Sequence, residues 1–219
     1  MPLEARRKKL GVVVNPIAGL GGRVGLKGTD GPEILARALA LGAVPMAGSR
    51  CALALQAMTP LADSIEILAP SGTMGADSVA AAGLRPRILA DLPPLAGDGT
   101  DTRRAAARLL EEGVDLLLFA GGDGTARDVM SVVGTRIPIL GVPTGVKMHS
   151  AVFGTSPRAA GRIAAHLLGG EPSVRLREAE VMDLDEEAVR QGRVSARLYG
   201  VARVPHELSL IHISEPTRL

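Results

Sequence analysis

The sequence predicts an α/β fold: an open, mostly parallel sheet with helices on both faces, followed by the start of a β-rich second domain. Two observations carry this. Short apolar runs alternate with helical stretches down to about residue 171, the pattern of βα units. Beyond Pro172 the apolar residues fall at period two, as in half-buried antiparallel strands. The boundaries read from this change are an α/β lobe at 1–171 and the beginning of a β-rich lobe at 172–207. The last stretch, 208–219, resembles translated sequencing adapter and is set aside as an artefactual tail, which implies a C-terminally truncated chain.

In chain order, Leu10–Val14 is a continuous apolar run and reads as a buried first strand. Pro32 to Leu41 reads as a helix with Pro32 in its first turn and Leu35, Ala38 and Leu39 on one face. Ser49 is placed as the cap of a second helical piece reaching about Met58, and Ile65–Ala69 and Arg87–Ala90 as strands. Thr100 or Asp101 is placed as the cap of a helix ending at Glu112, with Ala106, Leu109 and Leu110 as its buried stripe. Leu116–Ala120 is wholly apolar, as a central parallel strand is. A helix at Thr125–Val133, a strand at Ile137–Val142 and a helix opened by Ser156-Pro157 and closed by Gly169-Gly170 complete the lobe. Val174, Leu176, Val194, Ala196 and Leu198 mark the strands that follow.

Composition narrows the function classes. Lys+Arg 25 against Asp+Glu 23 gives a net charge of +2, too little for a polycationic nucleic-acid binder. Aromatics are 1%, which disfavours a base-stacking single-strand binder. One cysteine excludes an intrachain disulfide framework and a cysteine-based zinc site. No apolar run is long enough for a membrane span, and the run after the basic residues 6–9 is too short for a signal peptide. The expected setting is the cytoplasm.

Glycine-rich loops follow the strands, where ligands bind in open α/β sheets. The sharpest is Gly121-Gly122-Asp123-Gly124-Thr125, between the apolar strand and a helix. Glycines there let backbone N–H groups approach phosphate oxygens, and the helix N-terminus adds partial positive charge. Asp123, a carboxylate amid that cradle, would repel phosphates unless a divalent cation or an attacking hydroxyl intervenes; a plain turn with Asp123 as helix cap is the alternative. A second loop runs from Asn15 through Gly19 to Gly31, with Asn15 either on phosphate or in an Asx turn and Arg23 and Lys27 as counter-charges. A third, Gly141 to Ser150, offers Thr144 and Gly145 as phosphate or ribose contacts, Lys147 as a cation and His149 as a titrating group. Ser71 to Gly75 is the fourth. The acidic cluster Asp183, Asp185, Glu186 and Glu187 reads as a solvated turn rather than a metal site, and Cys51 as a core thiol.

Taken together these motifs resemble the NAD kinase and diacylglycerol kinase superfamily, and most closely its ATP-NAD kinase-like group. The resemblance lies in Asn15 to Gly31, Gly121 to Val129, Gly141 to Phe153, and Arg197 to Gly200 with Val204-Pro205. It implies a kinase that transfers a phosphoryl group from ATP, or polyphosphate, to the 2′-hydroxyl of NAD, with Mg²⁺ or another divalent metal. It implies Asp123 as the group that activates the hydroxyl. It also implies Gly121, Gly122, Gly124 and Thr125 as the phosphate loop, with Asn15, Gly19, Thr144, Gly145 and Lys147 around it and Lys147 or Arg127 offsetting charge. The metal ligands stay unassigned. NAD is the expected small-molecule partner, with no nucleic acid and no membrane, and a homo-oligomer of the full-length parent stays open. The family's Asn-Glu motif is absent, since Asn15 is the sole asparagine, so the activity implied is that of the parent rather than of this length of chain. The rival readings are a diacylglycerol-type lipid kinase, a non-catalytic nucleotide-binding module, and a phosphofructokinase-like sugar kinase. The Asn-Pro loop and the 141–150 run argue against the last.

Overall fold

The computed structural model describes residues 6–20, 32–93, 95–145, 148–184 and 195–207. Its centre is a five-stranded, all-parallel sheet in the order β3-β2-β1-β4-β5. These strands are β1 (Lys8–Val14), β2 (Ile65–Ala69), β3 (Arg87–Ile88), β4 (Leu116–Gly121) and β5 (Ile139–Pro143). β1 and β4 pair in register from Leu10↔Leu116 to Val14↔Ala120.

Both faces are covered, which is why β4 is apolar at every position. Leu10, Val12 and Val14 of β1 and Leu116, Leu118 and Ala120 of β4 point into one core cluster. There they meet α2 (Ala47–Leu55), α3 (Ala76–Ala81) and α6 (Pro157–Gly169). Val13, Leu117 and Phe119 point into the other, against α4 (Gly99–Glu111) and α5 (Asp123–Val133). Each fully buried Leu or Phe contributes about 1.5–3 kcal/mol. Phe119 and Phe153 meet edge to face at 5.4 Å. Gly141 leaves room for them, since a Cβ there would strike both rings. No helix among the described residues is long and apolar enough to cross a membrane.

Several expectations are corrected in detail. Helix α1 (Pro32–Ala40) buries Ala38 against Leu20 and Ala43, but Leu39 is 49% exposed. The Leu35 side chain lies outside the described residues. Met46, not Ser49, is the N-cap of α2; the Ser49 hydroxyl donates back to the Met46 carbonyl at 3.0 Å. α4 is capped by Asp98, which accepts from the Thr100 N–H at 2.7 Å. Asp101 is instead buried, accepting the N–H groups of Ala96 and Gly97 at 2.9 and 2.7 Å. Ser156 caps α6 and Gly170 ends it in the left-handed region, as the sequence predicts.

After α6 the chain forms an antiparallel hairpin, β6 (Val174–Leu184) with β7 (Ala196–Glu207). Its buried face carries Ala179, Val181, Ala202 and Val204, which join the α4–α5 side of the core. The predicted face holds only at its start: Val174 is buried, but Leu176 and Leu198 are 37% and 52% exposed. The parity read from the first apolar residues does not persist, and a bulge between Val181 and Met182 shifts the pairing so that Leu198 opposes Met182. Val194 lies outside the described residues.

Two outcomes are expected. A Cβ on Gly161 would overlap the main-chain carbonyl of Ala54, where α6 lies on α2. Gly161→Ala should therefore lower the urea midpoint by about 1–3 kcal/mol of stability with the m-value unchanged. Cys51 is fully buried, and burial pushes its thiol up to about 12 despite a hydrogen bond from Ser78. A thiol reagent at about pH 8 should leave the native protein unlabelled and modify it fully in denaturant.

Candidate functional site

The strand order fixes where a site can form. β1 leads through α1 and α2 to β2 on one side, while β4 and β5 lie on the other. The crossovers leave in opposite directions, so the topological switch point, where open α/β sheets bind ligands, lies beyond the carboxyl ends of β1 and β4. Asn15 follows β1 there and Gly121 ends β4. By contrast, a cavity of about 470 Å³ lined by Arg7, Glu66, Arg85 and Arg87 opens at the opposite edge, among the amino ends of β2 and β3.

Main-chain and side-chain bonds join the loops at the carboxyl edge. The Asn15 N–H donates to the Ala120 carbonyl at 2.9 Å, extending the β1–β4 ladder by one residue. Asn15 Oδ1 accepts the Ile17 N–H at 3.3 Å, an Asx turn, and Nδ2 donates to Thr125 Oγ1 at 3.1 Å. Asn15 thus ties the first loop to the first turn of α5. The Thr144 N–H donates to the Gly121 carbonyl at 3.2 Å. Gly19, at φ +78°, lies so close to the Thr144 carbonyl that a Cβ would stand 2.6 Å from it. Gly121 is required in the same way, since a Cβ would overlap the Thr125 side chain.

Gly122 is different. It is the N-cap of α5 in an ordinary extended conformation (φ −111°, ψ −167°), and a Cβ there would meet nothing within 4 Å. No side chain caps α5, whereas Asp98 and Ser156 cap α4 and α6. Among the described residues no side chain therefore accepts from the first N–H groups of α5, donors of the kind that suit an anion.

Asp123 is 8% exposed, and both its oxygens are engaged. Oδ2 accepts the His149 N–H at 2.8 Å and Oδ1 the Ser150 N–H at 3.0 Å. Its donors come from the third loop, not from its own helix, so the first-turn N–H groups of α5 stay available to a ligand. That removes the conflict of a carboxylate set inside a phosphate cradle. Each carboxylate oxygen retains a second acceptor position.

The remaining candidates separate. Thr144 is buried, and its Oγ1 is the one buried side-chain polar atom without a partner among the described residues. Gly145 meets only Met148, and Gly124 only Asp183, both at ordinary contact distance. Arg127 does not face the loop as a free counter-charge: it pairs with Asp183 at 3.0 Å and lies over the Tyr199 ring at 5.2 Å. Burial works against its charge, yet the Asp183 carboxylate and Tyr199 hold its pKa above the ordinary value. Lys147, Arg23, Lys27, Asp185, Glu186 and Glu187 lie outside the described residues.

Among the described residues no group of three His, Cys, Asp or Glu side chains is placed to hold a metal ion. Asp123, already bonded twice, and Asp183, near Gly124 and paired with Arg127, are the carboxylates the described residues bring to this edge. Sequence reasoning also missed Arg50, whose Nη1 donates to the Pro143 carbonyl at 3.0 Å and brings a half-buried cation to the end of β5. No periodicity signals it, because the contact spans 93 residues.

Residues 10–172 match the family model of the ATP-NAD kinase N-terminal domain. No curated protein matches the chain.

The glycines give a direct test. Gly19→Ala and Gly121→Ala should each destabilise the fold, by about 1–3 kcal/mol in denaturant titrations. Gly122→Ala should leave stability within about 0.5 kcal/mol of wild type, yet weaken ATP binding in calorimetry at least about tenfold.

Proposed function

The chain belongs to the ATP-NAD kinase family, and on that premise we propose that it transfers the γ-phosphoryl group of ATP to the 2′-hydroxyl of NAD, giving NADP. The observation that carries the reading is the open, uncapped α5 N-terminus at Gly122, placed at the switch point with the other loops bonded around it. An amide-lined opening of that kind suits a polyphosphate chain better than an apolar or cationic ligand.

In the transfer, the acceptor oxygen attacks the γ-phosphorus, the bond to the bridging oxygen of the β-phosphate breaks, and ADP leaves. The hydroxyl proton passes to a carboxylate oxygen of Asp123 and from there to solvent. There is little covalent chemistry for the protein to perform, so positioning and charge stabilisation dominate. The backbone N–H groups of residues 123–125 receive phosphate oxygens. Asn15 holds Thr125, and through it the pitch of the loop. Asp123, clamped by two N–H donors, presents its free lone pairs in one fixed direction. The orphaned Thr144 hydroxyl supplies a further donor or acceptor. A divalent metal, when present, would arrive with the triphosphate and neutralise its charge.

The decisive experiment incubates the full chain with Mg²⁺-ATP and NAD and follows NADP by a coupled dehydrogenase, with polyphosphate as a second donor and diacylglycerol as a second acceptor. NADP formation is expected, slowed by the missing Asn-Glu motif. Asp123→Ala should lower kcat at least about a hundredfold while the KM for NAD stays within about threefold. A phosphorylated lipid instead of NADP would move the chain to the lipid-kinase branch. ATP binding without any product would make it a nucleotide-binding module.

A further inference from the structure

The 148–154 run links the Gly-Gly-Asp-Gly-Thr loop to the β6–β7 hairpin, and Ser150 stands where the two connections meet. Its N–H is one of the two donors on Asp123, at 3.0 Å. Its hydroxyl donates to the Met182 carbonyl at 2.7 Å and accepts the Met182 N–H at 2.9 Å. One residue on, the Ala151 N–H donates to the Glu180 carbonyl at 2.9 Å. On the other side of the run, the Gly141 N–H donates to the Val152 carbonyl at 2.8 Å and the Gly154 N–H to the Gly141 carbonyl at 3.0 Å.

The hydroxyl does something unusual for a side chain. It engages the N–H and the C=O of a single strand residue, as the next strand of a sheet would. Those two groups of Met182 therefore look away from β7, and without Ser150 they would be an open strand edge. A hydroxyl can both donate and accept, which alanine cannot do and a thiol does only weakly. Ser150 is buried, 7% exposed, so water is a poor substitute.

We propose that Ser150 is a positioning residue for Asp123: its hydroxyl fixes the 148–151 turn on β6, and the turn's two N–H groups then set the direction of the Asp123 carboxylate. The inference rests on the kinase reading of Asp123. α5 is tied to the same hairpin by the Arg127–Asp183 pair, so loop, helix and turn are located by one element.

The test uses the full chain and Ser150→Ala, which keeps the Cβ and removes both hydroxyl bonds. Amide hydrogen exchange at positions 149 and 150 should accelerate at least about tenfold while the β1 and β4 amides keep wild-type protection. In the NAD phosphorylation assay kcat should fall about tenfold with the KM for ATP and NAD within about twofold. The double variant with Asp123→Ala should be no slower than Asp123→Ala alone. Unchanged exchange at 149 and 150, a change in KM alone, or additive losses in the double variant would overturn the proposal. If the wild-type chain transfers no phosphoryl group, the kinase reading fails, and the exchange measurement still decides whether Ser150 holds the turn. Should Ser150→Ala not fold, Ser150→Cys, nearly isosteric, carries the same comparison.

Discussion

The in-register pairing of β1 with β4 is the constraint on which the molecule depends. It brings two strands far apart in sequence to the same level, so that Asn15 and Gly121 emerge side by side. A slip of one residue would exchange the two faces of each strand and send Leu116, Leu118 and Ala120 to the side now held by Leu117 and Phe119. On the Leu117–Phe119 face the fit is close, as the edge-to-face ring pair and the bare Gly11 against Leu109 show. Hydrophobic burial on both faces therefore sets the register, and the register places the polar loops.

Around that junction the glycines divide into two kinds. Gly19 and Gly121 are demanded by the protein itself, because backbone and side chains crowd the space a Cβ would need. They draw the loops into contact. Gly122 is crowded by nothing among the described residues, since a Cβ there would meet no atom within 4 Å. The same division appears in the charges. An acidic residue in the first turn of α5 is favoured by the helix dipole, yet Asp123 takes its hydrogen bonds from another loop. Helix end and carboxylate are thus separate in their hydrogen bonding, which the proposed transfer uses for two different tasks.

What was legible in the sequence follows from how far the signal reaches. The apolar run at 116–120 and the Ser156 and Gly170 limits of α6 are local, and they came out as read. The clustering of Asn15, Gly19, Gly121, Thr125 and Thr144 was legible from their positions after strands, because strand ends on one edge of a parallel sheet are brought together by topology. The Asp98 cap was missed because Thr100 and Asp101 are equally good caps by type, and only tertiary burial of Asp101 decides among them. The hairpin face was missed because β6 changes the parity of its apolar residues and the bulge at Val181/Met182 has no sequence signature. Arg127 was read as a counter-charge for the loop because its partner, Asp183, lies on a distant strand. The bonds that hold Asp123 were not legible at all, since main-chain donors carry no residue identity.

The buried Thr144 hydroxyl shows where stability yields to function. An unsatisfied buried polar group costs about 1–3 kcal/mol, a real fraction of the total for a domain of this size. Valine would fill the same space without that cost. Elsewhere the described residues satisfy their buried side-chain polar atoms, Asp101 and Ser150 included. The orphan sits on the loop that closes over Gly19 and Gly121, within the group of residues that shape the opening. Among the described residues it is the one buried side-chain polar atom without a partner. A bound phosphate or ribose oxygen would supply the missing partner and recover that free energy on binding, whereas an apolar ligand would leave the cost in place.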